Sequence, residues 1–218
     1  MSKWMGVVAV VLGISASAFG QFDLQITEMW PGNEPGDNLS EDWFEVTNVG
    51  NVAWTDTVGT LYFDDESADT VDAKPLSGIS LIAPGESVVF VDEDDSVAWS
   101  DLWDDVITLP QVGDYDGKGL GQGGDGVALY LDTDNDLVSG DLIDYETYPD
   151  ADNNGGQSWD VGLGAFSVVG NAAGAVATTT LNDEDQPAIG SPGAIPEPAT
   201  MALLGLGGLA VIRRRRNG

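Results

Sequence analysis

Between Gln21 and Ile195 the apolar residues come in short runs, and each run is cut off within a few residues by Gly, Pro, Asn or Asp. A globular helix of ordinary length would need apolar positions recurring every three or four residues, and that pattern is missing here. Leu24 and Ile26, with Glu28 in the same phase, alternate with Gln25 and Thr27 as a half-buried strand would. Trp43 to Thr47 reads as a second strand closed by Asn48-Val49-Gly50-Asn51, and Leu61 to Phe63 as a third stopped by Asp64-Asp65-Glu66. Ile79 to Ile82 runs into the turn Ala83-Pro84-Gly85-Glu86 and then the strand Ser87 to Val91. Val127 to Leu131 and Leu142 to Tyr145 are expected to pair across an Asp-rich turn. The acidic stretch Asp92 to Asp105, with Trp99 and Trp103 four apart, fits one short helix, and Gly162 to Gly190 reads as a weak edge strand plus linker. Many short strands separated by turn signals imply an all-β fold, an antiparallel β-sandwich.

Several residues have local physical reasons. Asn48 and Gly50 suit the left-handed conformations of a tight turn. Pro84-Gly85 presets a type II turn, which needs positive φ at its second central position. Trp43 is expected as a core anchor. Glu45 shares its face by the two-residue period, so it needs a hydrogen-bond partner that the sequence does not name.

Cys and His are both absent. Without disulfides an exported domain rests on its core, and about 175 residues suffice for one. Without His there is no Ser-His-Asp triad, no Cys-His pair and no ordinary zinc site. Oxygen ligands remain, which suits Ca²⁺. Of the 37 acidic residues only Glu197 lies outside the stretch 21–195, and of the seven basic residues only Lys74 and Lys118 lie inside it. Two lysines against 36 acids give this middle a formal charge of −34, beyond the −30 of the whole chain. Nucleic acid and anionic membrane are disfavoured partners for such a surface, while divalent cations and cationic polymers are favoured.

Two acidic loops have calcium-like spacing. Asp150, Asp152 and Asn154, followed by Gly155, supply oxygens at alternate positions and a sharp turn, although Val161 stands where a bidentate Glu would complete the loop. Asp132, Asp134 and Asp136 repeat the alternation, with Leu137 in place of the Gly. Solvated Asp/Asn turns in an acidic chain would give the same pattern. Paired carboxylates would also serve glycoside hydrolysis, and six Trp beyond residue 20 could stack on sugars or fill the core. Carboxylate pairs are unavoidable at this acidity, so the expectation is a protein without catalysis, with a secreted carbohydrate-active enzyme as the alternative.

Both ends carry membrane signals. Lys3 precedes the apolar run Met5 to Ile14, and Ala16-Ser17-Ala18 and Ala18-Phe19-Gly20 are small-residue cleavage sites. Residues 1–20 therefore read as a secretory signal peptide with a signal helix, cleaved after Gly20 or, alternatively, after Ala18. At the other end, Pro196-Glu197-Pro198 precedes the uncharged run Ala199 to Ile212 and then Arg213, Arg214, Arg215 and Arg216. As a helix that run reaches about 21 Å, short of the roughly 20 residues that span a bilayer comfortably. The Arg cluster stays cytoplasmic by the positive-inside rule, and the two prolines keep the strip outside the membrane extended.

This tail, residues 194–218, resembles the PEP-CTERM sorting signal of Gram-negative bacteria that make exopolysaccharide. The resemblance implies a C-terminal transmembrane helix and recognition at Pro196, Glu197, Pro198 and the Arg cluster. It also implies processing by an exosortase at the inner membrane, then delivery to the cell surface or matrix. Exopolysaccharide or surface proteins are the partners it suggests. A permanent membrane anchor is the alternative.

The stretch 21–193 resembles a lamin tail domain. Leu24 to Met29 resembles its opening strand, and Trp43-Phe44-Glu45-Val46-Thr47-Asn48 its Trp-x-Glu-x-x-Asn signature. Leu81 to Glu86 resembles its Leu-x-Pro-Gly turn, Gly123 to Leu129 its Gly-Asp-x-x-x-Leu strand, Ile143-Asp144 the next strand, and Ser191-Pro192-Gly193 its closing Pro-Gly. The resemblance implies an immunoglobulin-like sandwich with a structural, adhesive or binding role. The stretch from Trp99 to Gly113 departs from that pattern in length and acidity.

Overall fold

The structure is a computed structural model, and it describes residues 21–32, 42–92, 96–116, 119–151, 156–181 and 187–194. The signal-peptide sites Ala18 and Gly20, the tail from Pro196 to Arg216, and Asp152 and Asn154 lie outside the described residues. The described residues are mostly β-strands in several sheets, with one short α-helix.

The strands in chain order are Leu24–Trp30 (β1), Trp43–Asn48 (β2), Trp54–Thr55 (β3), Thr60–Asp64 (β4), Lys74–Pro75 (β5), Leu81–Ile82 (β6) and Ser87–Asp92 (β7). The helix Ser96–Trp103 (α1) follows, then Gln111–Tyr115 (β8), Asp125–Asp132 (β9) and Leu142–Tyr148 (β10). Trp159–Asp160 (β11), Ala165–Phe166 (β12), Val176–Leu181 (β13) and Pro187–Gly190 (β14) complete the described elements. A six-stranded sheet runs β12-β11-β1-β2-β7-β8, and a four-stranded sheet runs β10-β9-β4-β5. Two small sheets, β3-β6 and β13-β14, accompany them.

One apolar cluster draws Ile26, Phe44, Val88 and Phe90 from the larger sheet and Leu61, Phe63, Val127 and Leu129 from the four-stranded one. The two sheets therefore share a core. Phe44 sits at its middle, with ring centroids 5.2 Å from Phe63, 5.6 Å from Phe90 and 5.4 Å from Tyr115. A second cluster packs Trp30, Trp43, Val89 and Val91 against Trp99, Leu102 and Trp103 of α1. Alternate residues of β2 and β7 thus enter two different cores, and both strands are buried along their whole length.

The expected strands and the short helix are present, but three expectations change. The six-stranded sheet is not wholly antiparallel: β8 pairs parallel with β7, in register Val89↔Val112. A parallel neighbour needs a crossover, and α1 is that crossover. Its length and its two Trp follow from covering the sheet's outer face. Next, Gly162 to Gly190 is not one edge strand and a linker, because it carries β12 and the antiparallel pair β13–β14. Its Thr-rich run supplies the β-branched residues that a strand favours. Lastly, neither Asn48 nor Gly50 has positive φ. Gly50 is required by crowding instead: a Cβ there would lie 2.4 Å from the Gln21 carbonyl oxygen. Pro84-Gly85 does make the expected turn, with Gly85 at φ 76° and Glu86 N donating to Ala83 O at 3.0 Å.

Candidate functional site

A bulge in β1 creates the main polar site. The β1–β2 register runs Ile26↔Val46 and then Glu28↔Glu45, so Thr27 is the extra residue. One inserted residue reverses the side-chain phase. Glu28 therefore leaves the face of Leu24 and Ile26 and lies beside Glu45 on the outer face. Both carboxyls are 2% exposed. Cross-strand neighbours of this kind have Cβ atoms roughly 5 Å apart, so two acids of like charge share one dry site.

Every carboxyl oxygen of the pair accepts a hydrogen bond. Glu28 Oε1 accepts from Ser158 Oγ and from Ser191 N at 2.8 Å, and its Oε2 accepts from Ser191 Oγ at 3.1 Å. Glu45 accepts from Thr27 Oγ1 on one oxygen and from Gly193 N at 2.5 Å on the other. These are the partners that the sequence could not name for Glu45. A line of hydroxyls continues across the sheet: Thr27 Oγ1 lies 2.9 Å from Thr47 Oγ1, which lies 2.7 Å from Ser87 Oγ.

Burial is the largest influence on both acids. It pushes Glu28 up to about 7 against the lowering effect of its Ser158 and Ser191 hydrogen bonds. It pushes Glu45 up to about 8, with the neighbouring Glu28 charge adding to the rise. The pair consequently retains proton at neutral pH. Beside it lies a pocket of about 440 Å³, lined by both acids, Asp160, Leu163, Ser191 and Ala194 among others, with no Lys or Arg among the described residues of its wall. The arrangement can hold protons and fix the backbone at Ser191 and Gly193. With its oxygens occupied by local donors, it is not set up as a free acid–base pair.

Of the calcium-spaced loops, Asp132, Asp134 and Asp136 lie between β9 and β10. Asp132 Oδ1 accepts from the amides of Asp134 at 3.0 Å and Asn135 at 2.7 Å, and Asp134 Oδ1 accepts from Asp136 N at 3.3 Å. Asn135 takes the left-handed conformation, φ 67°. In the other loop Asp150 is exposed and is the sole member described. Among the described residues no group of three or more acids converges as metal ligands. A separate exposed contact joins Glu66 and Asp125, and the hydrogen bond between their side chains raises Glu66 to about 7.

The tryptophans resolve the sugar-stacking question for five positions: Trp30, Trp43, Trp54, Trp99 and Trp103 are all buried. Trp43 stacks on Trp30 at 6.0 Å and meets Trp99 and Trp103 edge-on at 5.9 and 6.2 Å. Trp159 is half-buried against Phe166.

Sequence reasoning placed Glu45 correctly as buried and polar but missed Glu28, Thr27, Ser158 and Ser191. The missed signal for Glu28 was the bulge, which no turn residue announces. Ser191-Pro192-Gly193 was visible as a closing motif, though not as the donor set for two carboxyls.

No curated protein and no solved structure matches the chain. Immediately after Gly193, residues 194–216 match the PEP-CTERM protein-sorting motif, so the clamped turn leads directly into a sorting signal.

Proposed function

We propose that the chain is an exported protein whose sorting segment is processed by an exosortase at the inner membrane. The mature β domain then works at the cell surface or in the extracellular matrix in a structural, adhesive or binding role, without catalysis. The sorting motif at residues 194–216 is the observation that carries this reading. The signal peptide over residues 1–20 belongs to the same reading. We take the domain to be lamin tail-like and immunoglobulin-like in its sandwich. The structural parts played by Trp43, Glu45, Asn48 and Gly193 support that view. Asn48 alone ties three loops, accepting from Asp23 N and Gly50 N and donating to Val52 O and Ile82 O. A formal charge near −34 suits cationic or cation-bridged polymers such as an exopolysaccharide matrix. Occupied carboxylates in the pocket and a buried set of indoles support the non-catalytic role.

Intact-mass analysis of the protein recovered from an exosortase-bearing host tests this. The expected mature form lacks the residues beyond the Pro196-Glu197-Pro198 strip, and Pro196→Ala with Pro198→Ala yields an uncleaved, membrane-held precursor. Recovery of surface protein that still carries Ala199 to Gly218 would show a permanent anchor instead.

A further inference from the structure

Three hydrogen bonds tie the described end of the chain to the buried acids: Ser191 N and Oγ to Glu28, and Gly193 N to Glu45. The acids sit on β1 and β2, interior strands of the six-stranded sheet with ladder partners on both sides. The turn they hold has weaker support. Among the described residues, strand β14 pairs only with β13 and makes one isolated bridge, Gln157↔Ile189. The pocket beside the acids includes Ser191 and Ala194 in its wall. Both acids are only 2% exposed although the pocket adjoins them, so lifting this turn would widen water's access to their carboxyls, and a turn with few ladder bonds is a natural place for local opening.

We propose that Glu28 and Glu45 form a proton-dependent clasp that seats Ser191–Gly193, the root of the sorting segment, on the folded domain. While the pair keeps its protons the clasp is closed and the sorting segment leaves the domain from a fixed point. When both acids ionise, two like charges share a buried site, and lifting the turn hydrates them more fully. The proposal rests on the sorting reading for its biological meaning, since the segment released is the one an exosortase would take up.

The groups that face the pair are few. Asp160 on β11 adds a third carboxylate that raises both acids. Asp144 on β10 accepts from Ile26 N at 2.7 Å, just before the bulge. The remaining partners, Thr27, Thr47, Ser158 and Ser191, are neutral. The sign follows from proton linkage. Both acids sit above their ordinary value of 4.5 in the closed state, at about 7 and about 8. The closed state binds more protons than an opened, hydrated one. Opening therefore becomes easier as pH rises from the ordinary carboxyl value, and the trend levels above about pH 8. Exposed carboxylates of ordinary pKa have finished titrating by roughly pH 6, so the interval from 6 to 8 isolates raised groups.

Amide hydrogen exchange on the full chain in mild detergent, corrected for the intrinsic pH dependence of exchange, tests the clasp. Protection at Ser191 and Gly193 should fall between pH 6 and 8 by roughly tenfold per pH unit for each proton released, then level, while β2 and β7 stay protected. Glu28→Gln with Glu45→Gln removes both charges and keeps one acceptor oxygen on each side chain for the Ser191 and Gly193 amides, so it should hold the turn closed at every pH. The same double variant controls for Glu66, which is raised to about 7 in the turn after β4. Should the double variant fold poorly, Glu45→Gln alone should still flatten the profile by about one proton. Unchanged protection in the wild type, an equal loss in the Gln variants, or simultaneous opening of β2 would each overturn the clasp. A tail that is never processed while this exchange profile holds would count against the sorting reading and leave the clasp standing.

Discussion

On its inner face β2 presents Phe44 and Val46 to the other sheet; on its outer face it presents Trp43, Glu45 and Thr47. Both faces are buried, yet they bury opposite chemistry. The inner face is apolar on both sides and joins two sheets. The outer face divides into a Trp cluster under α1 and a band of carboxyls and hydroxyls that ends on Ser191 and Gly193. Burial of apolar area stabilises without direction, so the inner face fixes the stack of sheets and little else. Buried acceptors are directional and costly to leave unpaired, so the outer face fixes where a particular stretch of backbone must lie.

If that division is right, the inner face should hold most of the stability. Phe44→Ala removes a fully buried ring in contact with three other aromatic rings. The expected loss is about 3–5 kcal/mol, measured by denaturant unfolding, which is a large share of the total for a domain of this size. A loss under about 1 kcal/mol would mean that the two sheets are not held by this core.

The outer face should be distinguished by pH as well as by size. Glu45→Ala leaves Gly193 N without its acceptor and Thr27 Oγ1 with Thr47 Oγ1 alone, and should destabilise by about 3 kcal/mol at pH 5.5. Glu45→Gln should be nearly neutral there. The wild type loses stability from the ordinary carboxyl range up to about pH 8, because Glu45 is raised when folded and the unfolded chain gives up its proton earlier. Glu45→Gln should therefore become more stable than the wild type at pH 9. Thermal unfolding at the two pH values reads the crossover, and parallel curves for the two proteins would remove the pH-sensitive role from this face.

The sequence reveals the two faces unequally. The alternation of Trp43, Glu45 and Thr47 with Phe44 and Val46 is present in the letters, so β2 is readable as buried on both sides. In β7 the letters give a continuous apolar run, Val88 to Val91, which suits a strand buried on both faces. Period 2 misleads in β1, where a single bulge at Thr27 reverses the phase and moves Glu28. The parallel strand β8 escapes because Gln-Val-Gly-Asp-Tyr carries little alternating signal, and its place depends on a crossover through α1. The clasp escapes for a related reason. Two of its three donors are backbone amides more than a hundred positions from Glu28 and Glu45, and an amide has no letter of its own.

Within the outer face, the Trp cluster offers a milder test. Among the described residues, the indole N–H groups of Trp30, Trp99 and Trp103 are buried without hydrogen-bond partners. Trp103→Phe gives up apolar contact and also removes one unpaired donor. The two effects oppose, so the expected loss is about 1–2 kcal/mol, well below that of Phe44→Ala, with the fluorescence of the cluster as a check that its packing survives. A loss equal to that of Phe44→Ala would make the outer face a second core of equal rank.

The smallest effect belongs to a carboxylate that works as Glu45 does but at the rim. Asp132 is 7% exposed, and its Oδ1 holds the amides of Asp134 and Asn135 in the turn that follows β9. Asp132→Ala should cost about 1 kcal/mol, since solvent near the turn can replace part of what is lost. The rim differs from the interior in what a cation can do. Glu45 is buried, whereas Asp134 and Asp136 are exposed to solvent and its ions. Because Oδ1 of Asp132 is already engaged by two amides, the cost of Asp132→Ala should be the same with Ca²⁺ and with a chelator at matched ionic strength. Melting temperatures of both proteins in the two buffers give the comparison. A cost that grows with Ca²⁺ and saturates would show that the turn reorganises around the ion, because a ligand that binds only the folded state stabilises it by mass action. The rim carboxylates would then be ligands first and turn acceptors second, and the likeness to Glu45 would end at the surface.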